Sequence, residues 1–293
     1  VCPFRFCLGR SFVHHRLDSG LRGARPGLLM AASSGQVKAS LFVTCIIDQF
    51  YPEVGESTVR VLQRLGVELD FPEAQTCCGQ PAYNAGFWGD AKPLAKRVLD
   101  QFQHSKYVVV PSGSCATMIR IYYPELFQDE PESLQKAQAL AERTYELSEF
   151  IVDVLGITDV RHLIGDAAQT DMQKVTYHES CHLRRELGAT TQSRALINSL
   201  PNVELVEMDQ AEVCCGFGGT FSVKYPDISG AMLQDKLDRI GSTGASSVVA
   251  CDCSCLMQIG GGLEKSGSGV QSVHLAKLLD DAIGHSSQSD RSN

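Results

Sequence analysis
The chain has 293 residues, 43% hydrophobic and 20% charged, enough for one large or two ordinary domains built around their own cores. A formal net charge of −8 gives no basic stripe that could track a phosphate backbone, so no nucleic-acid partner is expected; Arg184-Arg185 is an isolated pair. No apolar run approaches the roughly 20 residues needed to span a bilayer, so an integral membrane protein is not expected either.

Residues 1–39 read as a leader. Arg5, Arg10, Arg16, Arg22, Arg25 and Lys38 face one acid, Asp18, which is the composition of a mitochondrial or plastid transit peptide. The other reading is upstream, untranslated sequence, with Met30 in "LLMAASSG" as the start. There is no secretory h-region followed by a small-residue cleavage site, so a reducing compartment is expected: cytoplasmic, or an organellar matrix if the leader is a transit peptide. Cys2 and Cys7 lie in the leader and are set aside. In a reducing compartment the ten remaining cysteines point to metal, cluster or catalysis before disulfides.

The body is written twice. In the first copy, residues 40–157, "LFVTCIID" leads to a helix-like "STVRVLQRLG", a short strand, and "TCCGQPAYNAG". A second helix with Leu94, Val98 and Phe102 at helical spacing follows, then "YVVVPSGSCATMI" and "ELSEFIVDVLG". Residues 122–144 have no counterpart and read as an added helix. Residues 158–174 are the expected linker. In the second copy, residues 175–284, "VTYHESCHL", "VCCGFGGTFS", "SSVVACDCSCLMQI" and "HLAKLLDDAIG" repeat the order, and residues 285–293 read as a disordered tail. Apolar strand runs alternating with amphipathic helices predict an α/β fold, two tandem duplicated layers with mainly parallel strands.

Sites in such layers form where the carboxyl ends of strands and their loops converge. Cys45 at the end of the first strand, Cys77 and Cys78 in a loop and Cys115 after the next strand share one rim. Cys181, Cys214, Cys215 and Cys255 do the same in the second copy. Four thiolates can hold a structural zinc or an iron-sulfur cluster. Vicinal cysteines point apart, which suits the separate irons of a cluster better than a single ion. Gly79 and Gly216 would allow the close backbone approach of a bulky core, with Gly218 and Gly219 packed behind the second one and Lys224 facing its charge. His178 and His182 bracket Cys181. They are the candidate catalytic histidines, able to hydrogen-bond to sulfur or pass a proton, against the plainer reading of histidines satisfied by backbone at a strand end. Cys251 and Cys253, which lack counterparts, read as buried small hydrophobes before a variant ligand pair. Trp88 reads as core or rim packing. "IGGGLEKSGSG" is not a P-loop, "GFGGTFS" is not a dinucleotide fingerprint, and no ferredoxin run, flavin site or nicotinamide site is evident.

Over residues 40–284 these motifs resemble the cysteine-rich CCG-domain family, which includes the CCG-domain component of heterodisulfide reductase and the glycolate oxidase iron-sulfur subunit. The resemblance is stronger to the lactate utilization protein A group, through "LFVTCIIDQFYPEVGESTVRVLQRLGVELDFPEAQTCCGQPAYNAG", "VTYHESCHLRRELG" and "CCGFGGTFSVKYPDISGAMLQDKL". It implies the iron-sulfur subunit of an oxidoreductase complex that oxidises L-lactate, a 2-hydroxy acid, to pyruvate by electron transfer through iron-sulfur clusters. The implied partners are a ferredoxin-type iron-sulfur subunit and a further small subunit, with a small-molecule substrate at the cleft between the rims near His178. The fuller family pattern ends each copy in Cys-x-x-Cys, where this chain has Ser112-x-x-Cys115 and Asp252-x-x-Cys255. Four thiolates per copy favour a 4Fe-4S cubane over a noncubane cluster. The alternatives are a heterodisulfide-reductase-like thiol/disulfide subunit, which the missing fifth cysteines argue against, and a zinc-stabilised structural module.

Overall fold
The computed structural model describes residues 36–164 and 172–284. The leader up to residue 35, the centre of the expected linker (165–171) and the tail (285–293) lie outside the described residues. The first half runs β1 (Lys38–Leu41), α1 (Cys45–Phe50), α2 (Pro52–Arg64), β2 (Glu68–Asp70), α3 (Gln80–Asn84), α4 (Trp88–Gln101), β3 (Val108–Val110), α5 (Gly113–Thr117), α6 (Tyr123–Leu126), α7 (Pro131–Ala141), β4 (Thr144–Glu146) and α8 (Leu147–Glu149). The second runs β5 (Gln173–Tyr177), α9 (Cys181–Arg185), α10 (Gln192–Asn198), β6 (Val203–Leu205), α11 (Phe221–Lys224), α12 (Pro226–Ser242), β7 (Ser247–Ala250), α13 (Cys253–Ser266), β8 (Gln271–His274) and α14 (Leu275–Gly284). Thus β1 opens inside the expected leader and β5 inside the expected linker. The helix α7 is the one added to the first half.

Each half forms a four-stranded, wholly parallel sheet, in the orders β2-β1-β3-β4 and β6-β5-β7-β8. The α/β duplication is therefore a duplication of topology. It fixes equivalences residue by residue: Leu41 pairs with Val109 as Tyr177 pairs with Val249. The next amide along, Phe42 in one half and His178 in the other, donates to the carbonyl of that same valine.

Both faces of each sheet are covered, which is why β3 and β7 are buried along their whole length. Side chains alternate across the strands. Val109, Val175, Tyr177 and Val249 enter a core shared by the two halves, while Val108 and Val110 enter an outer core of the first half and Val248 one of the second. On α2 the buried stripe includes Val54, Thr58, Val61 and Leu62. On α4 the buried stripe is Ala91, Ala95, Val98 and Leu99, leading to Phe102. Leu94 stands beside it, near Gly79. The last helix, α14, crosses to the first half. There the buried Asp280 accepts hydrogen bonds from Ser57 Oγ at 3.0 Å and Arg60 Nε at 2.8 Å.

Candidate metal centre
In the first half three strand ends deliver the thiols. Cys45 does not end β1 as expected but opens α1, with Phe42, Val43 and Thr44 between and Thr44 as the helix N-cap. Cys77 and Cys78 follow β2. Cys115 lies in α5, just after β3, where Ser112 Oγ accepts its N–H at 3.4 Å. Gly79 adopts φ +86°, a left-handed turn that only glycine enters without strain, and this turn brings Cys78 Sγ within 3.4 Å of Cys115 Sγ. Tyr123 Oη anchors the loop by donating to the Cys78 carbonyl at 2.8 Å. In the second half Cys181 opens α9, Cys214 and Cys215 follow β6, and Cys255 lies in the first turn of α13. Gly216 repeats the turn at φ +88°, and a Cβ there would meet Ser229 O at 2.7 Å. Gly218 and Gly219 continue in left-handed conformations.

All eight expected cysteines are therefore brought into two sets of four, each with two buried and two partly exposed members. Crowding distributes their protons unevenly. Hydrogen bonds from Cys45 and then Cys78, reinforced by the Gly79 N–H, hold Cys77 down to about 3. Cys214, hydrogen-bonded by Cys181, Cys215 and the Gly216 N–H, is held at about 2. Cys45 and Cys181 are pushed far up by those same bonds and then by burial. Cys78 and Cys215 rise as well, through bonds to Cys115 and Cys77 in one case and to Cys214 and Cys255 in the other. Four thiolates together require a cationic centre among them, so the donor set fits a metal ion or cluster.

Cys251 and Cys253 are buried, and burial raises both thiols. Cys251 Sγ lies 3.1 Å from Ser193 Oγ and 3.6 Å from Tyr177 Oη, a packed and hydrogen-bonded position outside the sets. Ser112 and Asp252, standing where the fuller pattern has cysteine, are helix caps. Asp252 does more, since one carboxylate oxygen accepts the Ser254 N–H at 3.2 Å and the other the Ser114 N–H at 2.8 Å, tying the Cys255 and Cys115 turns together.

His182 lies between the halves, with Nδ1 3.6 Å from Cys181 Sγ and Nε2 3.4 Å from Gln80 Nε2. Its carbonyl accepts from Thr117 Oγ1. His178 is fully buried, and neither of its ring nitrogens has a hydrogen-bond partner among the described residues. The backbone group facing its ring is the Ala211 carbonyl. One ring nitrogen, Cys215 Sγ and Cys255 Sγ all lie within 4.8 Å of one another. Burial, with Lys236 nearby, pulls His178 down to about 3. Lys224 lies over the ring of Phe87, 5.8 Å from its centre. Trp88 stacks on Tyr83 on the exposed rim, with ring centres 5.9 Å apart.

One residue of this site escaped the sequence. Lys236 is fully buried, its ammonium donating to the carbonyls of Gln210 at 3.3 Å and Ala211 at 3.1 Å and approaching Met208 Sδ at 3.7 Å. A lysine on an amphipathic helix reads as solvent-facing. The signal lay in the repeat. Gly79 faces Ala91 and Leu94 as Gly216 faces Ser229 and Met232, which makes Val98 the counterpart of Lys236.

Two parallel α/β layers, each with a thiol quartet at its strand ends, define a duplicated cysteine-rich protein. The model of the CCG cysteine-rich domain matches residues 39–120 and 175–260. Lactate utilization protein A of Bacillus subtilis (strain 168) is 48% identical over 244 residues, 83% of this chain and 99% of that protein. Its namesake in Geobacillus sp. (strain WCH70) is likewise 48% identical over 244 residues, with the same coverage. Lactate utilization protein A 2 of Bacillus cereus (strain 03BB102) is 44% identical over 243 residues, 83% of this chain and 98% of that protein. The chain belongs to the lactate utilization protein A family of CCG-domain proteins.

Proposed function
We propose that the chain is the iron-sulfur subunit of an oxidoreductase complex that oxidises L-lactate to pyruvate. The observation that carries this reading is the pair of thiol quartets gathered at the strand ends, where four thiolates would close around a cluster. Four cysteines match the four iron corners of a 4Fe-4S cubane, which exchanges one electron at a time when bound. Cys45, Cys77, Cys78 and Cys115 would hold one cluster, and Cys181, Cys214, Cys215 and Cys255 the other. Gly79 and Gly216 set the turns, with Gly218 and Gly219 behind the second. Conversion of a 2-hydroxy acid to a 2-oxo acid releases two electrons and two protons, a load that two one-electron sites can share.

The names of the relatives support lactate as the substrate. His182, beside Cys181 and Gln80, is the histidine placed to take or give a proton at the boundary of the halves. His178 has no exposed surface with which to meet substrate. Phe87, Trp88, Val223 and Tyr225 are exposed in the segments that follow the two Cys-Cys-Gly turns, apolar surface of the kind that a partner covers. This is where the ferredoxin-type subunit and a further small subunit would dock. Among the described residues no helix is long and apolar enough to cross a membrane. Free thiols at all ten body cysteines suit a reducing compartment, which we take to be cytoplasmic. The thiol/disulfide alternative loses support because Ser112 and Asp252 are engaged as caps.

The test is an anaerobic assay of the chain combined with its partner subunits. L-lactate should reduce an artificial acceptor, and Cys77→Ser or Cys214→Ser should each lower turnover at least 100-fold. Turnover of a disulfide but not of lactate would contradict the proposal.

A further inference from the structure
The two sites have the same thiols but different walls. At the end of the first strand of each half, the buried residue whose amide donates to the carbonyl of the central valine is Phe42 in one half and His178 in the other. On the helix behind the Cys-Cys-Gly turn, the buried position one turn beyond the residue facing the glycine is Val98 in one half and Lys236 in the other. Two apolar residues thus stand where the second half has an imidazole and an ammonium.

Neither polar group serves stability in an obvious way. Burying an imidazole that makes no well-formed hydrogen bond costs free energy that a phenylalanine would not, and burying a lysine costs more. The ammonium is held by the two carbonyls and the thioether just before the Cys214 turn. The imidazole is aimed at Cys215 and Cys255. Four cysteines already fill the four iron corners of a cubane, so the histidine is not needed as a ligand. With a cluster bound by these cysteines, a His178 ring N–H near their sulfurs, with the Lys236 cation nearby, would stabilise added negative charge. Hydrogen bonds to sulfur and local charge are what set cluster potentials.

We infer that His178 and Lys236 are a tuning pair that gives the second site a higher reduction potential than the first, so that electrons entering the chain come to rest at the Cys181 set. The inference rests on the cluster reading above and adds a direction to it. His178 and Lys236 act here as positioning residues: His178 lies within 4.8 Å of two of the site's thiols, Lys236 holds the segment before the Cys214 turn, and neither meets substrate.

The test uses the full chain, purified anaerobically, with one site read at a time. Cys77→Ser leaves the second site and Cys214→Ser the first, and EPR-monitored redox titration gives each midpoint. The second site should titrate above the first. His178→Phe and Lys236→Val, which install the residues of the first half, should each lower the second midpoint by at least a tenfold change in the electron-exchange equilibrium, about 59 mV for one electron. His178→Gln, which keeps an N–H donor, should lower it less. Phe42→His should raise the first midpoint, so the inference stays testable even where His178→Phe folds poorly. Equal midpoints in the parent, or a second midpoint unmoved by His178→Phe and Lys236→Val with the cluster still bound, would overturn the inference alone. A chain with no cluster signal at either site would bring down the cluster reading and the inference together.

Discussion
Half one and half two share their strand order, their strand registers and the geometry of their Cys-Cys-Gly turns, yet they differ at nearly every buried polar position around those turns. Phe42, Val98 and Ser112 in the first half stand opposite His178, Lys236 and Asp252 in the second. At the ends of the fourth strands, Glu146 stands opposite His274, and each caps the helix that follows: Glu146 accepts the Ser148 N–H at 2.7 Å and His274 Nδ1 the Ala276 N–H at 3.1 Å. The difference teaches that the framework placing the thiols is separable from the groups that set their environment. The backbone turn is retained in both copies, and chemistry is varied by side chains one layer behind it.

The sharpest way to break this equivalence is at the glycines. Both occupy left-handed backbone, where a side chain costs about 1–2 kcal/mol. A Cβ at Gly79 meets Ala91 O at 3.3 Å, whereas at Gly216 it meets Ser229 O at 2.7 Å. Overpacking of that kind adds about 1–3 kcal/mol. Gly216→Ala should therefore destabilise by about 3 kcal/mol or more and Gly79→Ala by about half as much, measured by chemical denaturation of the metal-free protein. Equal losses would mean that the two turns are packed alike.

The capping pair separates the halves by pH. Burial pushes Glu146 up to about 8 from an ordinary 4.5, and it pulls His274 down to about 4 from 6.5. A raised acid contributes stability that is full below its unfolded value and is lost as pH rises through its folded value, here between about 4.5 and 8. A depressed histidine contributes stability present above 6.5 and lost as pH falls through about 4. Glu146→Gln imitates the neutral acid. It should gain about 2–3 kcal/mol over the parent at pH 7, nothing at pH 4, and leave the acid-side loss due to His274 unchanged. A pH-independent effect of Glu146→Gln would refute the buried-acid account.

The smallest effect belongs to the rim contact between the halves. Lys224→Ala removes an exposed cation from the ring of Phe87 and should change stability by no more than about 1 kcal/mol. A larger loss would show that the rims brace each other.

Features written in contiguous residues were legible beforehand. The doubled motifs, the apolar runs of β3 and β7 and the vicinal cysteines all carry local signals, and they gave the parallel α/β layers and the two thiol sets. The fourth strands did not, because Thr144–Glu146 and Gln271–His274 are short and end in a polar residue that the fold buries. The double cap by Asp252 joins residues 138 positions apart and leaves no local pattern. His178 was legible as a residue near Cys181, but the bareness of its ring was not, since that depends on what the packed chain fails to offer it.

The most direct measurement is iron and acid-labile sulfide per chain in anaerobically purified protein, with EPR after dithionite reduction, for the parent, Cys77→Ser and Cys214→Ser. Two independent cubanes predict about eight irons and eight sulfides in the parent and about half of each in either variant. Stoichiometric zinc without labile sulfide in strictly anaerobic protein would contradict the electron-transfer account and leave the two thiol sets as structural metal sites.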